Sequence, residues 1–251
     1  MKIVKMLCLG GLFLSACGGG APEVTGYKIT GPAAALTVAA GDSLKLDVQA
    51  TYSDGTTGPL PTDAKVEWGG PAQVKALAPG SMPQTSALPD PGTNKAVLLW
   101  LDNATRVTGA DLTGVLWALS SADKASNVDI KVTVTSGGKA TTATATVSVQ
   151  PGPAGDVTRG KTLYAANCAS CHGATGHGTT DYPGINGEKG SPADEWTPAL
   201  FALSSRAAID DEGVALKAPM PLWLTQKGAS GKLLSTQDFA DLYAFLKTQT
   251  K

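Results

Sequence analysis

Apolar and polar residues alternate along the first half of the chain and recur at helical spacing near its end. The change of period divides it. Leu44, Leu46, Val48, Ala50 and Tyr52 alternate with Lys45, Asp47, Gln49 and Thr51, the period of a strand with one buried face, and Asp54-Gly55 then supplies a turn. Residues 66–68, 95–101 and 114–119 predict further strands, and 128–135 pairs with 140–149 across Ser136-Gly137-Gly138-Lys139. Short strands with one apolar side predict a β-sandwich over 24–150, because each sheet must bury a face against another. From Asp156 to Lys251 the grammar is helical. Asp156 is placed to cap a helix carrying Val157, Gly160, Leu163 and Tyr164, and Thr236 opens a final helix in which Phe239, Leu242, Tyr243 and Leu246 recur at three and four residues. Residues 151–155, Pro-Gly-Pro-Ala-Gly, continue neither element and are expected to form a linker.

Residues 1–16 stand outside both patterns. Lys2 and Lys5 precede an apolar stretch at 6–14, far shorter than the roughly 20 residues a membrane span needs, so the segment is an export signal. Its end, Leu14-Ser15-Ala16-Cys17, resembles the lipobox of bacterial lipoproteins. That resemblance implies cleavage before Cys17, a lipid on Cys17, and a flexible tether over 17–23 containing Gly18, Gly19 and Gly20. Gly18 in the position after the cysteine implies sorting to the outer membrane, facing the periplasm or the exterior. An ordinary secretion signal, leaving Cys17 free, is the alternative. The net charge of −1 and the lack of a Lys/Arg run exclude a nucleic-acid footprint.

The chain has four cysteines. Cys8 leaves with the signal and Cys17 takes lipid, so Cys168 and Cys171 remain. They stand in Cys168-Ala169-Ser170-Cys171-His172. Two thiols three positions apart could form a disulfide or a thiol oxidoreductase, but His172 directly after them favours one covalent haem c, with Cys168 and Cys171 as thioethers and His172 on the iron. A low-spin carrier needs a second strong ligand. His177 lies five residues on, and a reach of at most about 18 Å does not readily carry it around the macrocycle edge. Met82 belongs to the other domain, within a Pro-rich stretch at 79–91, which leaves Met220, whose neighbours Pro219 and Pro221 deny it helix. Leu200, Phe201, Leu203, Ile185, Leu222 and Trp223 are expected to line a dry pocket. Trp196, Trp223, Arg206 and Lys217 are candidates for the haem propionates. An iron ligated by His172 and Met220 has no open position, so the chemistry is single-electron transfer, not catalysis.

Two further resemblances organise the chain. Gly41-Asp42-Ser43-Leu44, the run from Ala50 to Thr57, Val66-Glu67-Trp68 and the terminal Thr/Val strand resemble bacterial immunoglobulin-like domains of the group 2 type. Gly160, Tyr164, the pentapeptide, Gly176 and Gly178, Pro219-Met220-Pro221 and the aromatic final helix resemble class I cytochromes c. The fold expected is therefore an all-β immunoglobulin-like sandwich followed by an all-α class I cytochrome c fold, with Trp68 in the sandwich core. The second resemblance implies that the first and last helices cross at Gly160, against Tyr243. The function expected is a membrane-tethered, monomeric electron carrier that docks transiently on redox partner proteins, with the sandwich as a spacer. Two alternatives stay open: an electron-entry subunit, haem enzyme or sensor with a displaceable Met220, and a surface-binding module led by the sandwich.

Overall fold

A computed structural model describes residues 21–75, 96–102, 114–120, 125–212, 214–216 and 219–250. The signal, Cys17, Met82 and Lys217 lie outside them. In the N-terminal part the strands are β1 (Val24–Thr30), β2 (Thr37–Ala39), β3 (Ser43–Lys45), β4 (Asp47–Tyr52), β5 (Thr57–Gly58) and β6 (Lys65–Gly69). They are followed by β7 (Ala72–Lys75), β8 (Ala96–Asp102), β9 (Val115–Ser120), β10 (Ser126–Ser136) and β11 (Lys139–Gln150).

The strands form three sheets around a common apolar core. In one, β4 lies between β1 and β5; in a second, β3, separated from β4 by Leu46 alone, pairs with β9, which continues to β8 and the parallel β7. In the third the order is β2-β11-β10-β6, with β2 parallel to β11. The expected hairpin is present, in unbroken register from Ser126↔Val149 to Ser136↔Lys139 around Gly137 and Gly138. That core contains Ile29, Val48, Leu116, Ile130, Val132 and Val147, drawn from all three sheets. Trp68 is half-buried against this core, its ring centroid 4.8 Å from that of Trp100.

The C-terminal part is helical: α1 (Val157–Asn167), α2 (Ala169–His172), α3 (Pro192–Glu195), α4 (Pro198–Ala207) and α5 (Thr236–Lys247). Asp156 caps α1 by accepting from the Arg159 amide, and Ser235 with Asp238 forms a capping box on α5. These two helices cross where Gly160 meets the backbone of Asp241, and a Cβ on Gly160 would stand 1.9 Å from the Asp241 carbonyl oxygen. The neighbouring aromatic is Phe245, not Tyr243. At 100° per residue Tyr243 is turned toward α3 and α4, where its hydroxyl donates to the Trp196 carbonyl (2.7 Å) and its ring lies 5.8 Å from Phe201. Asp241, fully buried, accepts from the Asp156 amide and from Gln237, and pairs with Arg159.

The two parts share an apolar core. Along β9, Leu116 and Ala118 face the inter-sheet core, whereas Val115, Trp117 and Leu119 point outward. They meet Ala199, Leu203 and Ala207 of α4, with Leu99 of β8 and Ile209 beside them. Trp117 is 0 % exposed there. Burying a side chain of this kind contributes about 1.5–3 kcal/mol, so the contact is substantial. At its edge Arg206 pairs with Asp42 (2.5 Å) and reaches the Leu234 carbonyl. The segment at 151–155 is held too: Gln237 donates to the Ala154 carbonyl (2.7 Å), and Gly152 packs on Ala40.

Candidate haem-binding site

Tyr164 of α1 anchors the site, because its hydroxyl donates to the Gly173 carbonyl (2.7 Å) while its ring packs 5.3 Å from Phe245 of α5. Burial pushes this phenol well above the usual tyrosine range. The chain then leaves α1 at Cys168 and makes the single turn α2, closed by the His172 amide on the Cys168 carbonyl (3.0 Å). A helical turn brings residues three and four apart onto one side, so Cys168 lies beside both Cys171 and His172.

His172 is buried, and its Nδ1 lies 2.9 Å from the Pro183 carbonyl oxygen. A carbonyl only accepts, so Nδ1 carries the proton and Nε2 keeps its lone pair for a metal. The loop that delivers Pro183 is tied down by Gly178 to His172 (2.9 Å) and Ile185 to Gly176 (2.7 Å). Pro183 was not anticipated from the sequence, since a backbone carbonyl carries no residue-type signal.

Cys168 and Cys171 are not bonded to each other. Burial, with Cys171 second, pushes the Cys168 thiol up to about 12. Two unbonded thiols and an imidazole free at Nε2 on one helical turn fit a covalently held haem.

Met220 is half-buried and packs on the same cluster as Cys168, with Ile185, Trp196 and the buried Trp223, Phe201 and Leu242. His177 is engaged elsewhere. Its Nδ1 is 2.7 Å from the Thr175 hydroxyl, and its Nε2 is 3.2 Å from Glu188, near enough for an ion pair but not aligned as a hydrogen bond.

Two expected pocket residues and one propionate candidate are placed differently. Leu200 and Leu203 lie on the other face of α4, against the sheet, because that helix is covered on both sides. Arg206, a candidate for a propionate, is committed to Asp42 and stacks over Phe239 at 5.5 Å.

A helical domain whose first and last helices cross beside a Cys-x-x-Cys-His turn defines a c-type haem protein. Residues 157–250 match the cytochrome c family. The chain is similar to cytochrome c-554(547) of Halothiobacillus neapolitanus, at 37 % identity over 95 residues, which is 38 % of this chain and 98 % of that protein. The chain belongs to the cytochrome c family through this C-terminal part. Membership implies covalent haem c, electron transfer and redox partner proteins.

Proposed function

We propose that the protein is a lipid-anchored, mono-haem cytochrome that passes single electrons between partner proteins through iron ligated by His172 and Met220. Haem c, held through Cys168 and Cys171, supplies a one-electron iron couple. The observation that carries the reading is the 2.9 Å contact between His172 Nδ1 and the Pro183 carbonyl, which fixes the tautomer and aims Nε2. Met220 offers a soft thioether that favours the reduced metal, and its flanking prolines keep the backbone out of helix. Trp223 and Phe201 exclude water on that side and disfavour the extra positive charge of the oxidised state. Both effects raise the potential. With His172 and Met220 both holding the iron, the metal would offer no position to a substrate, so the role is carrier and not enzyme.

The lipid sits on Cys17 at the head of the 17–23 tether, on the outer membrane facing periplasm or exterior. No helix among the described residues is long and apolar enough to cross a membrane. The N-terminal part is an immunoglobulin-like sandwich in this reading, supported by sheets that share one apolar core and by the parallel β2–β11 edge. The protein works as a monomer, and partners dock transiently on a small interface at the haem edge.

The test is an absorption spectrum of oxidised and reduced protein beside Met220→Ala. The wild type should show a methionine-to-iron charge-transfer band and no carbon monoxide binding, and the variant should lose the band and gain binding. An unchanged variant spectrum refutes the ligand assignment. Cys17→Ser should move the protein from the membrane to the soluble fraction.

A further inference from the structure

The sheet face that covers α4 also packs against Leu224, at one end of the loop carrying Met220. Beyond α4 the chain turns through Ala208, whose φ of 51° is left-handed, and closes on itself: the Leu216 amide donates to the Ala208 carbonyl (2.8 Å), and Asp210 accepts from the Val214 (2.7 Å) and Glu212 (3.0 Å) amides. On the far side of Met220, the Leu224 amide donates to the Arg206 carbonyl (3.1 Å). Met220 is therefore slung between Leu216 and Leu224, and both are tied to the C-terminal end of α4. That end rests on the β-domain on one side, while Arg206 stacks over Phe239 of α5 on the other. Ala207, Ile209 and Leu224 pack with Trp117, Val115 and Leu119 of β9, and Arg206 pairs with Asp42 in the turn between β2 and β3. Gly41 of that turn permits the approach: its φ is +83°, and a Cβ there would stand 3.1 Å from Ala202 Cβ and 3.3 Å from Ala199 Cα.

We infer that the β-domain is a clamp for the Met220 loop, with Trp117 and Asp42 as positioning residues that act on the axial ligand through α4. The inference rests on Met220 being the second ligand. In this arrangement the sandwich does more than separate the haem domain from a membrane, because loosening it from α4 frees the segment that presents the thioether. The fraction of molecules with an open axial position then rises, and the apparent affinity for an outside ligand rises in proportion to that fraction.

The experiment uses the full-length holoprotein and imidazole as the outside ligand. Trp117→Leu removes the largest side chain from the shared core, Asp42→Ala removes the ion pair from the sandwich side, and Val132→Ala is a control in the inter-sheet core away from α4. Trp117→Leu should bind imidazole about ten-fold more tightly than wild type, with a weakened methionine-to-iron band and a lowered reduction potential. Asp42→Ala should move all three readouts in the same direction by a smaller factor, and it carries the test if Trp117→Leu does not fold. Val132→Ala should match wild type. Interface variants that fold but match Val132→Ala overturn the clamp alone. A wild type lacking the methionine band overturns the ligand assignment and the clamp with it.

Discussion

Replacing Gly160 with alanine tests whether the close crossing of α1 and α5 is what seats the haem-binding turn. The added Cβ would lie 1.9 Å from the Asp241 carbonyl oxygen and 3.0 Å from Phe245 Cβ, where ordinary C···O contacts need about 3.3 Å. The obstacles are backbone and a Cβ, so no rotamer change relieves them. The helices must therefore part by about 1.4 Å at the crossing, disturbing the Tyr164–Phe245 ring contact and the Arg159–Asp241 pair. Overpacking of this severity costs about 3 kcal/mol, and the better helix propensity of alanine returns about 1 kcal/mol. The net expectation is a loss of about 2 kcal/mol, a fall in Tm of roughly 4–8 °C for a chain of this size. Unfolding of the holoprotein followed by far-UV ellipticity measures it, with the exposed neighbour Lys161→Ala as a control expected within about 0.5 kcal/mol of wild type. A Gly160→Ala protein as stable as wild type would show that the crossing has slack, and the argument from close approach would fail.

Three other outcomes are expected. Changing Cys168 and Cys171 together to serine should abolish covalent haem, read as the protein mass after denaturation, while each single change should leave one attachment; haem mass retained by the double variant would contradict the assignment. Asp241→Ala strands the Asp156 amide and Arg159→Ala strands the fully buried Asp241 carboxylate, so each should cost about 3 kcal/mol, and a denaturant midpoint unchanged in either variant would count against Asp241 as the hub. Hydrogen bonds from the Gly137 amide and Ser136 hydroxyl hold the Asp63 carboxyl below the usual carboxylate range. Its pKa is lower folded than unfolded, so its stabilisation is full above the unfolded value and is lost as pH falls through the folded one. The Gly137 amide should lose exchange protection only in that acid window, and Asp63→Ala should lose it at neutral pH; equal protection of both proteins at neutral pH would refute the link.

The sequence by itself determined what is local. The Gly137-Gly138 hairpin, the Asp156 cap and the change from strand to helix grammar were legible because each depends on neighbours a few residues apart. The Cys-x-x-Cys-His turn was legible for the same reason. Tertiary structure decided the rest. Which aromatic of α5 meets Gly160 depends on how far that helix is rotated, and the packing of Tyr243 under Trp196 fixes this in favour of Phe245. The Pro183 carbonyl that orients His172 is backbone, invisible to any reading of side chains. Residues 115–119 run Val-Leu-Trp-Ala-Leu without a polar break, a sign that both faces of the strand are covered. The covering partner, α4, lies some eighty residues away in the chain, and no local pattern names it. Strand and helix follow from short-range sterics and periodicity, whereas the meeting of β9 with α4, and with it the seating of the Met220 loop, depends on apolar surfaces that find each other only when the whole chain has folded.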